Sequence, residues 1–250
     1  MTTAIIAGII TFAFTALLAI AGSGAAFILI PVFIALGIDI HVAMAVALLL
    51  NCIAMSIASY SYIKAKLVLW KVAIPIIIVA TGMSLVGAYV SHGLDDRVLK
   101  WLFVGFLIFS GALMLFYIPK EKHMESSGGK QLFNGIFTGT VAGFISGLLG
   151  VGGGNIIVPV LIWMGINPKK ASGTTAFIVI FSSFAGFLGH ATLGNIDVKL
   201  LGFTAIGSIL GAVFGAWLMT EKLSARQVKL IIGIVLLGIA GKMAWGLILK

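Results

Sequence analysis

The sequence is short of charge, of acid above all, and of cysteine. Only 9% of its 250 residues are charged, and seven of those are acids; a soluble domain carries about 25% charged residues. Eight stretches hold no Asp, Glu, Lys or Arg at all: Met1–Ile38, Val42–Ile63, Val72–Leu94, Trp101–Pro119, Gln131–Pro168, Ala171–Ile196, Leu200–Thr220 and Leu230–Gly241. About 20 apolar residues cross a bilayer core as a helix, so these stretches exclude a soluble protein and mark a polytopic membrane protein. Lipid cannot satisfy backbone groups, so the spans must be helical; nothing alternates like a barrel strand. The single cysteine, Cys52, lies within an apolar stretch, which excludes an internal disulfide and a cysteine metal cluster.

The acids Asp39, Asp95, Asp96, Asp197, Glu121, Glu125 and Glu221 all fall at expected loops or span ends. A carboxylate proton relay at depth is therefore not expected. The shortage of His, Asp, Glu and Cys also speaks against a membrane-embedded hydrolase or metalloenzyme. No catalytic residue, metal or cofactor is assigned. The net charge of +9 sits in short loops and not in a tail, so it reads as a topology signal and not as a nucleic-acid footprint. The opening MTTAIIAGIITFAFTALLAIAG lacks a basic n-region and has an internal counterpart. It reads as part of the mature fold.

What the chain does have is a repeat. Adding 128 to a residue number pairs Gly22 with Gly150, Gly24 with Gly152, Ile28 with Ile156 and Pro31 with Pro159. The same offset pairs Gly37 with Gly165, Ile38 with Ile166, Ala43 with Ala171, Gly87 with Gly215, Ala88 with Ala216, Leu102 with Leu230 and Gly105 with Gly233. The expected first repeat is 1–118, with a hairpin at 4–37 and helices at 42–62, 68–91 and 97–118. A polar linker, 119–130, follows. The second repeat is 131–250, with a hairpin at 132–165 and helices at 170–191, 198–220 and 226–248.

In each half a helix of about 18 residues runs into a glycine break, followed by a short apolar piece near Ala25–Gly37 or Asn155–Gly165. At 1.5 Å per residue that piece covers about 20 Å, less than the roughly 30 Å hydrocarbon core. A re-entrant hairpin with its tip near the midplane is expected. Each half then makes an odd number of crossings, and the halves are inverted. Inversion places eleven basic residues on one side, around Lys64, Lys120, Lys169 and Lys222, against five on the other. A parallel arrangement gives nine against seven, so the positive-inside rule favours inversion with both termini outside.

The breaks, AGSGAAF (Ala21–Phe27) and GVGGGNI (Gly150–Ile156), precede short helices whose first-turn N–H groups point into them. A helix N-terminus favours anions, and two facing each other form an anion cage without a buried Lys or Arg. A nucleotide loop is disfavoured: there is no lysine, and Asn155 stands where a third glycine would be needed. Close helix packing is the bland alternative. It is assigned to the ridges Gly135, Gly139, Gly143, Gly147 and Gly207, Gly211, Gly215, but not to the consecutive tip glycines. Pro31 and Pro159 are read as shaping the hairpins.

Candidate binding residues are Ser23, Gly24, Asn51, Gly152, Gly153, Gly154, Asn155, Thr174 and Thr175. Hydroxyls and amides can donate to sulfonate or carboxylate oxygens. Ser56, Ser59, Ser182, Ser183 and His190 are weaker candidates, since Ser and Thr in membrane helices often bond their own backbone.

GLLGVGGGNIIVPVLIWMGINPKKASGTTAF (Gly147–Phe177) and its degenerate copy AGSGAAFILIPVFIALGIDIHVAMAVALL (Ala21–Leu49) resemble the sulfite exporter TauE/SafE family, also called the toluenesulfonate uptake permease family. The first copy departs, with Ala25–Ala26–Phe27 for Gly153–Gly154–Asn155. It also has Ala45–Val46–Ala47 for Gly173–Thr174–Thr175. The resemblance implies a bacterial or archaeal inner-membrane transporter of sulfur-containing anions such as sulfite, sulfonates or sulfoacetate-like compounds. The reading is an all-α transporter that moves a small oxyanion by alternating access. Its partners are that anion and the lipid bilayer, a homodimer is compatible with it, and nucleic acid is not a partner. An anion leaving a cell that is negative inside gains about 2.3 kcal/mol per charge per 100 mV, so export could run on the potential alone. The alternatives are an anion channel and a non-transporting scaffold subunit.

Overall fold

The computed structural model describes residues 2–22, 24–116, 128–190, 198–222 and 225–248. Ten helices follow in order: α1 (Thr2–Ala21), α2 (Ala26–Ala35), α3 (Ile40–Lys64), α4 (Trp70–His92) and α5 (Asp96–Phe116) in the first half, then α6 (Gly128–Leu149), α7 (Gly154–Trp163), α8 (Pro168–Gly189), α9 (Val198–Glu221) and α10 (Ala225–Ile248) in the second. No strand occurs among the described residues. Four helices, α3, α4, α8 and Leu201–Glu221 of α9, are long and apolar enough to cross a membrane. α6 starts inside the segment read as linker, at Gly128. Its polar first turn extends the helix beyond its apolar stretch.

The backbone repeats as the sequence does. Gly22, Gly24 and Gly37 have φ of +70°, +75° and +84°, and Gly150, Gly152 and Gly165 have +69°, +77° and +88°. The caps repeat too. Asp39 accepts from the N–H groups of His41 and Val42 at the start of α3, and Asn167, 128 residues on, accepts from Lys169 at the start of α8. Such caps satisfy first-turn donors that have no helical partner. The duplication departs at the tips. Gly153 is left-handed at +75°, whereas Ala25 is right-handed at −95°.

α3 and α8 are the most enclosed of the four long apolar helices, and they run antiparallel. Thr174 lies beside Leu67 and Leu69, Ser183 beside Asn51, and His190 beside His41. α4 runs parallel to α8, with Trp70 against Phe177, Ser84 against Ser182, and His92 against Gly189.

The first helix of each half packs on the other half. α1 lies along α9, and α6 along α4, both in parallel register. Small residues make this possible. A Cβ at Gly143 would lie 2.5 Å from the Ala80 carbonyl, and one at Gly211 2.5 Å from that of Phe12. Membrane helices approach closely where side chains are absent. The outward faces of α4, α5 and α9 carry exposed Ile78, Tyr89, Phe109, Ile206 and Val213, as lipid contact requires.

Candidate functional site

The breaks lie deep in the core. α2 and α7 have ten residues each, about 15 Å. Asn51 is the twelfth of 25 residues in α3, about 17 Å from its start. The break before α2 touches α3 at this point: a Cβ at Gly24 would overlap Asn51 Oδ1. The break before α7 touches it as well, since a Cβ at Gly152 would lie 2.5 Å from Asn51 Nδ2 and 3.0 Å from Ser183 Oγ. The two breaks therefore meet across one amide, halfway along α3. Both glycines are also left-handed, a conformation that a side chain disfavours.

Asn51 is fully buried, and its Nδ2 donates to Ser183 Oγ at 2.9 Å. Asn51 Oδ1 has no partner among the described residues. Ser182 Oγ donates to the Gly152 carbonyl at 3.1 Å. Ser182 thus holds the second break against α8, while Ser183 ties α8 to α3.

The helix starts are of two kinds. α3 and α8 are capped by their own Asp39 and Asn167. α2 and α7, which begin at the breaks, have Ala25 and Gly153 as caps and no side-chain cap bond. Their first-turn N–H groups carry the positive end of each helix dipole into the interior.

Gly154 and Asn155 form the first turn of α7, both buried. Neither amide atom of Asn155, 1% exposed, has a hydrogen-bond partner among the described residues. The same is true of Thr175 Oγ1 and Ser146 Oγ, both fully buried. Ser146 stands beside the break, its Cβ 3.4 Å from where a Cβ on Gly153 would be. Thr175 is one turn before Val179, which touches Gly152 in the same sense.

Among the residues singled out in the sequence, Gly24 and Gly152 each reach Asn51, with Gly153, Gly154 and Asn155 following Gly152 in the chain. Ser23 lies outside the described residues. Thr174 is turned elsewhere: its hydroxyl accepts from Leu69 N at 3.0 Å and donates to Leu67 O at 3.5 Å, closing the α3–α4 connection. Ser183 and Ser146 are nearer the breaks than their sequence context suggests. Ser183, a weaker candidate in the sequence, lies one turn beyond Val179, the repeat mate of Asn51. Ser146 carries no such signal. A separate groove of about 730 Å³ between α5 and α6, lined by Trp101, Phe106, Phe109, Ile145 and Leu148 together with Asp95 and Arg97, is largely apolar.

The sulfite exporter TauE/SafE family profile matches residues 6–243. A probable membrane transporter of Methanocaldococcus jannaschii is 26% identical over 197 residues, covering 74% of this chain and 72% of that protein. A probable membrane transporter of Bacillus subtilis is 28% identical over 200 residues, covering 72% of each. Sulfite exporter TauE/SafE family protein 1 of Arabidopsis thaliana is 29% identical over 99 residues, covering 40% of this chain and 22% of that protein. No solved structure matches. The chain belongs to the sulfite exporter TauE/SafE family and is a multi-pass membrane transporter.

Proposed function

We propose that the chain moves small sulfur-containing oxyanions (sulfite, a sulfonate or a sulfoacetate-like compound) across the inner membrane by alternating access. The anion is held where the breaks before α2 and α7 meet. One observation carries this reading: two uncapped helix N-termini converge on Asn51 at mid-depth, with Asn155 buried in the first turn of α7 and without a partner among the described residues. A buried amide without a partner is costly. An oxyanion accepts from its Nδ2, from the first-turn N–H groups and from the Thr175 hydroxyl, while glycine lets it approach the backbone.

Two inverted repeats supply the second element of the mechanism. Support comes from the antiparallel course of the equivalent helices α3 and α8, and from neighbour pairs that persist when 128 is added, α1–α9 becoming α6–α4. Such a pseudo-two-fold gives two conformations of similar energy, open to opposite sides. The family's printed name favours a sulfur oxyanion, and the uncapped helix starts favour an anion independently.

The test is thermal stabilisation of purified protein by sulfite, sulfate, sulfoacetate, taurine and several carboxylates, repeated on Asn155→Leu and Thr175→Val. A Tm shift with one sulfur oxyanion, lost in both variants, supports the site and identifies the substrate. No shift with any anion, or one indifferent to both variants, overturns it.

A further inference from the structure

Three of the chain's four histidines meet at one end of the molecule. His41 starts α3, His92 ends α4, and His190 caps α8. Their ring centroids are 5.0 Å apart for His41 and His92, 5.4 Å for His92 and His190, and 6.1 Å for His41 and His190. His190 Nε2 bonds the Gly147 carbonyl at 2.6 Å, in the last turn of α6 before the second break. His92 Nε2 bonds the Gly189 carbonyl at 3.1 Å. A carbonyl only accepts, so both Nε2 atoms carry hydrogen. The cluster ties α4 to α8, and α8 to the hairpin.

The opposite end has the same joint in different chemistry. His190 is the repeat mate of Tyr62, and Gly147 of Ala19; Tyr62 Oη donates to the Ala19 carbonyl. His41 and His92 are the mates of Lys169 and Thr220, and Lys169 Nζ donates to the Thr220 carbonyl at 3.4 Å. The Tyr62–Ala19 and His190–Gly147 bonds are thus repeat equivalents, while the second contact at each end uses different partners. Phenols and ammonium groups ordinarily titrate near pH ~10, whereas imidazoles do so near ~6.5.

We propose that His41, His92 and His190 are a proton-binding latch: neutral, they hold their end shut, and protonated they release it, opening a path to the breaks from that side only. The latch rests on the alternating-access reading above, and it makes the proton a ligand of the transport cycle. By the distribution of basic loops its end faces outside.

Like charges on rings this close repel, and a fully buried imidazole resists charging. Of the described acids nearby, one faces the cluster, Asp96, which is shared between His41 and Lys100. Asp39 caps α3, Asp95 accepts from Arg97 N at 2.7 Å, and Asp96 sits 3.9 Å from His41 Nε2 and 3.6 Å from Lys100 Nζ. α6 presents the Gly147 carbonyl, and Asp197 lies outside the described residues. Burial first, then the neighbouring His92 and His41, pull His190 down to about 4, against the pull of its bond to Gly147. A group whose closed-state value is depressed stabilises the closed state above its exposed value and loses that contribution as pH falls. With an exposed value near ~6.5, the opening equilibrium rises about tenfold between pH 8 and pH 5.5.

The experiment needs no substrate. In a Cys52→Ala background, Met44→Cys places a thiol against Gly150, one turn inward from His41. Ser172→Cys places the equivalent thiol against Gly22 at the other end. Labelling by a membrane-impermeant methanethiosulfonate is measured in nanodiscs from pH 8 to 5.5 and divided by the rate of a free thiol at each pH. The latch predicts an increase of about tenfold for Met44→Cys and none for Ser172→Cys. It also predicts a flat profile when all three histidines are Gln, which keeps the donor to Gly147. A flat Met44→Cys profile, or an increase that survives the glutamines, overturns it. Should the glutamine variant fail to fold, imidazole nitrogen NMR on His123→Gln protein decides, since only the three rings then remain. No proton uptake on them between pH 8 and 5 overturns the latch. A pH-gated label without anion transport sinks the transport reading alone, and transport with a flat label sinks the latch alone.

Discussion

Asn51, at the middle of α3, and Ser183, in the second half of α8, join two antiparallel helices from opposite halves through one buried bond of 2.9 Å. Both glycine breaks are set against the same amide. Asn51→Leu keeps the volume and removes the donor. We expect a loss of about 1–3 kcal/mol, read as a lower Tm in detergent, together with loss of anion-induced stabilisation. An unchanged Tm would show that the bond holds nothing together.

Gly24→Ala and Gly152→Ala test the close approach. Each puts a Cβ onto the Asn51 amide and forces a side chain into left-handed backbone, so both variants are expected to melt several degrees lower or to aggregate. Gly105→Ala, a mid-helix position with nothing within 4 Å of the new atom, is expected to stabilise by up to about 1 kcal/mol. Equal behaviour of the three in a melting assay would remove the contact from the account.

Thr174→Val and Thr175→Val alter adjacent buried residues and should separate cleanly. Thr174 satisfies Leu69 N, so its loss strands a donor and costs about 1–3 kcal/mol, with anion affinity kept. Thr175 has no partner among the described residues. Its replacement should leave the ligand-free Tm unchanged or higher and weaken anion binding. Titration calorimetry and melting on both variants would reveal the opposite pattern, were it there.

Gly211→Leu sets a branched side chain against the Phe12 carbonyl and the Thr15 Cβ. Overpacking there should separate α1 from α9, and the expected readout is a lost monodisperse peak in size-exclusion chromatography. A normal elution profile would show that the interface tolerates a spacing the structure does not contain.

The all-helical membrane class was legible because charge-free stretches leave the backbone no other way to satisfy itself in lipid. The glycine breaks were legible because positive φ at mid-span requires residues without a Cβ, and those residues recur 128 positions apart. Side-chain pairings were not. The repeat mate of Asn51 is Val179, yet its partner is Ser183, a choice made by how α3 crosses α8. Thr174 and Thr175 are neighbours in sequence but point about 100° apart on the helix, so only packing decides which faces the breaks. The histidines come from three helix ends far apart in sequence, and only His190 drew attention there.

The exchange of first helices between the halves has a consequence for synthesis. Gly8 of α1 rests against Phe203 and Gly207 of α9, nearly two hundred residues downstream. At about 5–20 residues per second, α1 waits roughly 10–40 s for its neighbour. During that interval it is a lone apolar helix with a bare small-residue ridge, and it must be sheltered by lipid or by the insertion machinery. α6 has no such wait, because α4 is already in place when it emerges. Biogenesis is thus one-sided in a molecule whose finished halves match.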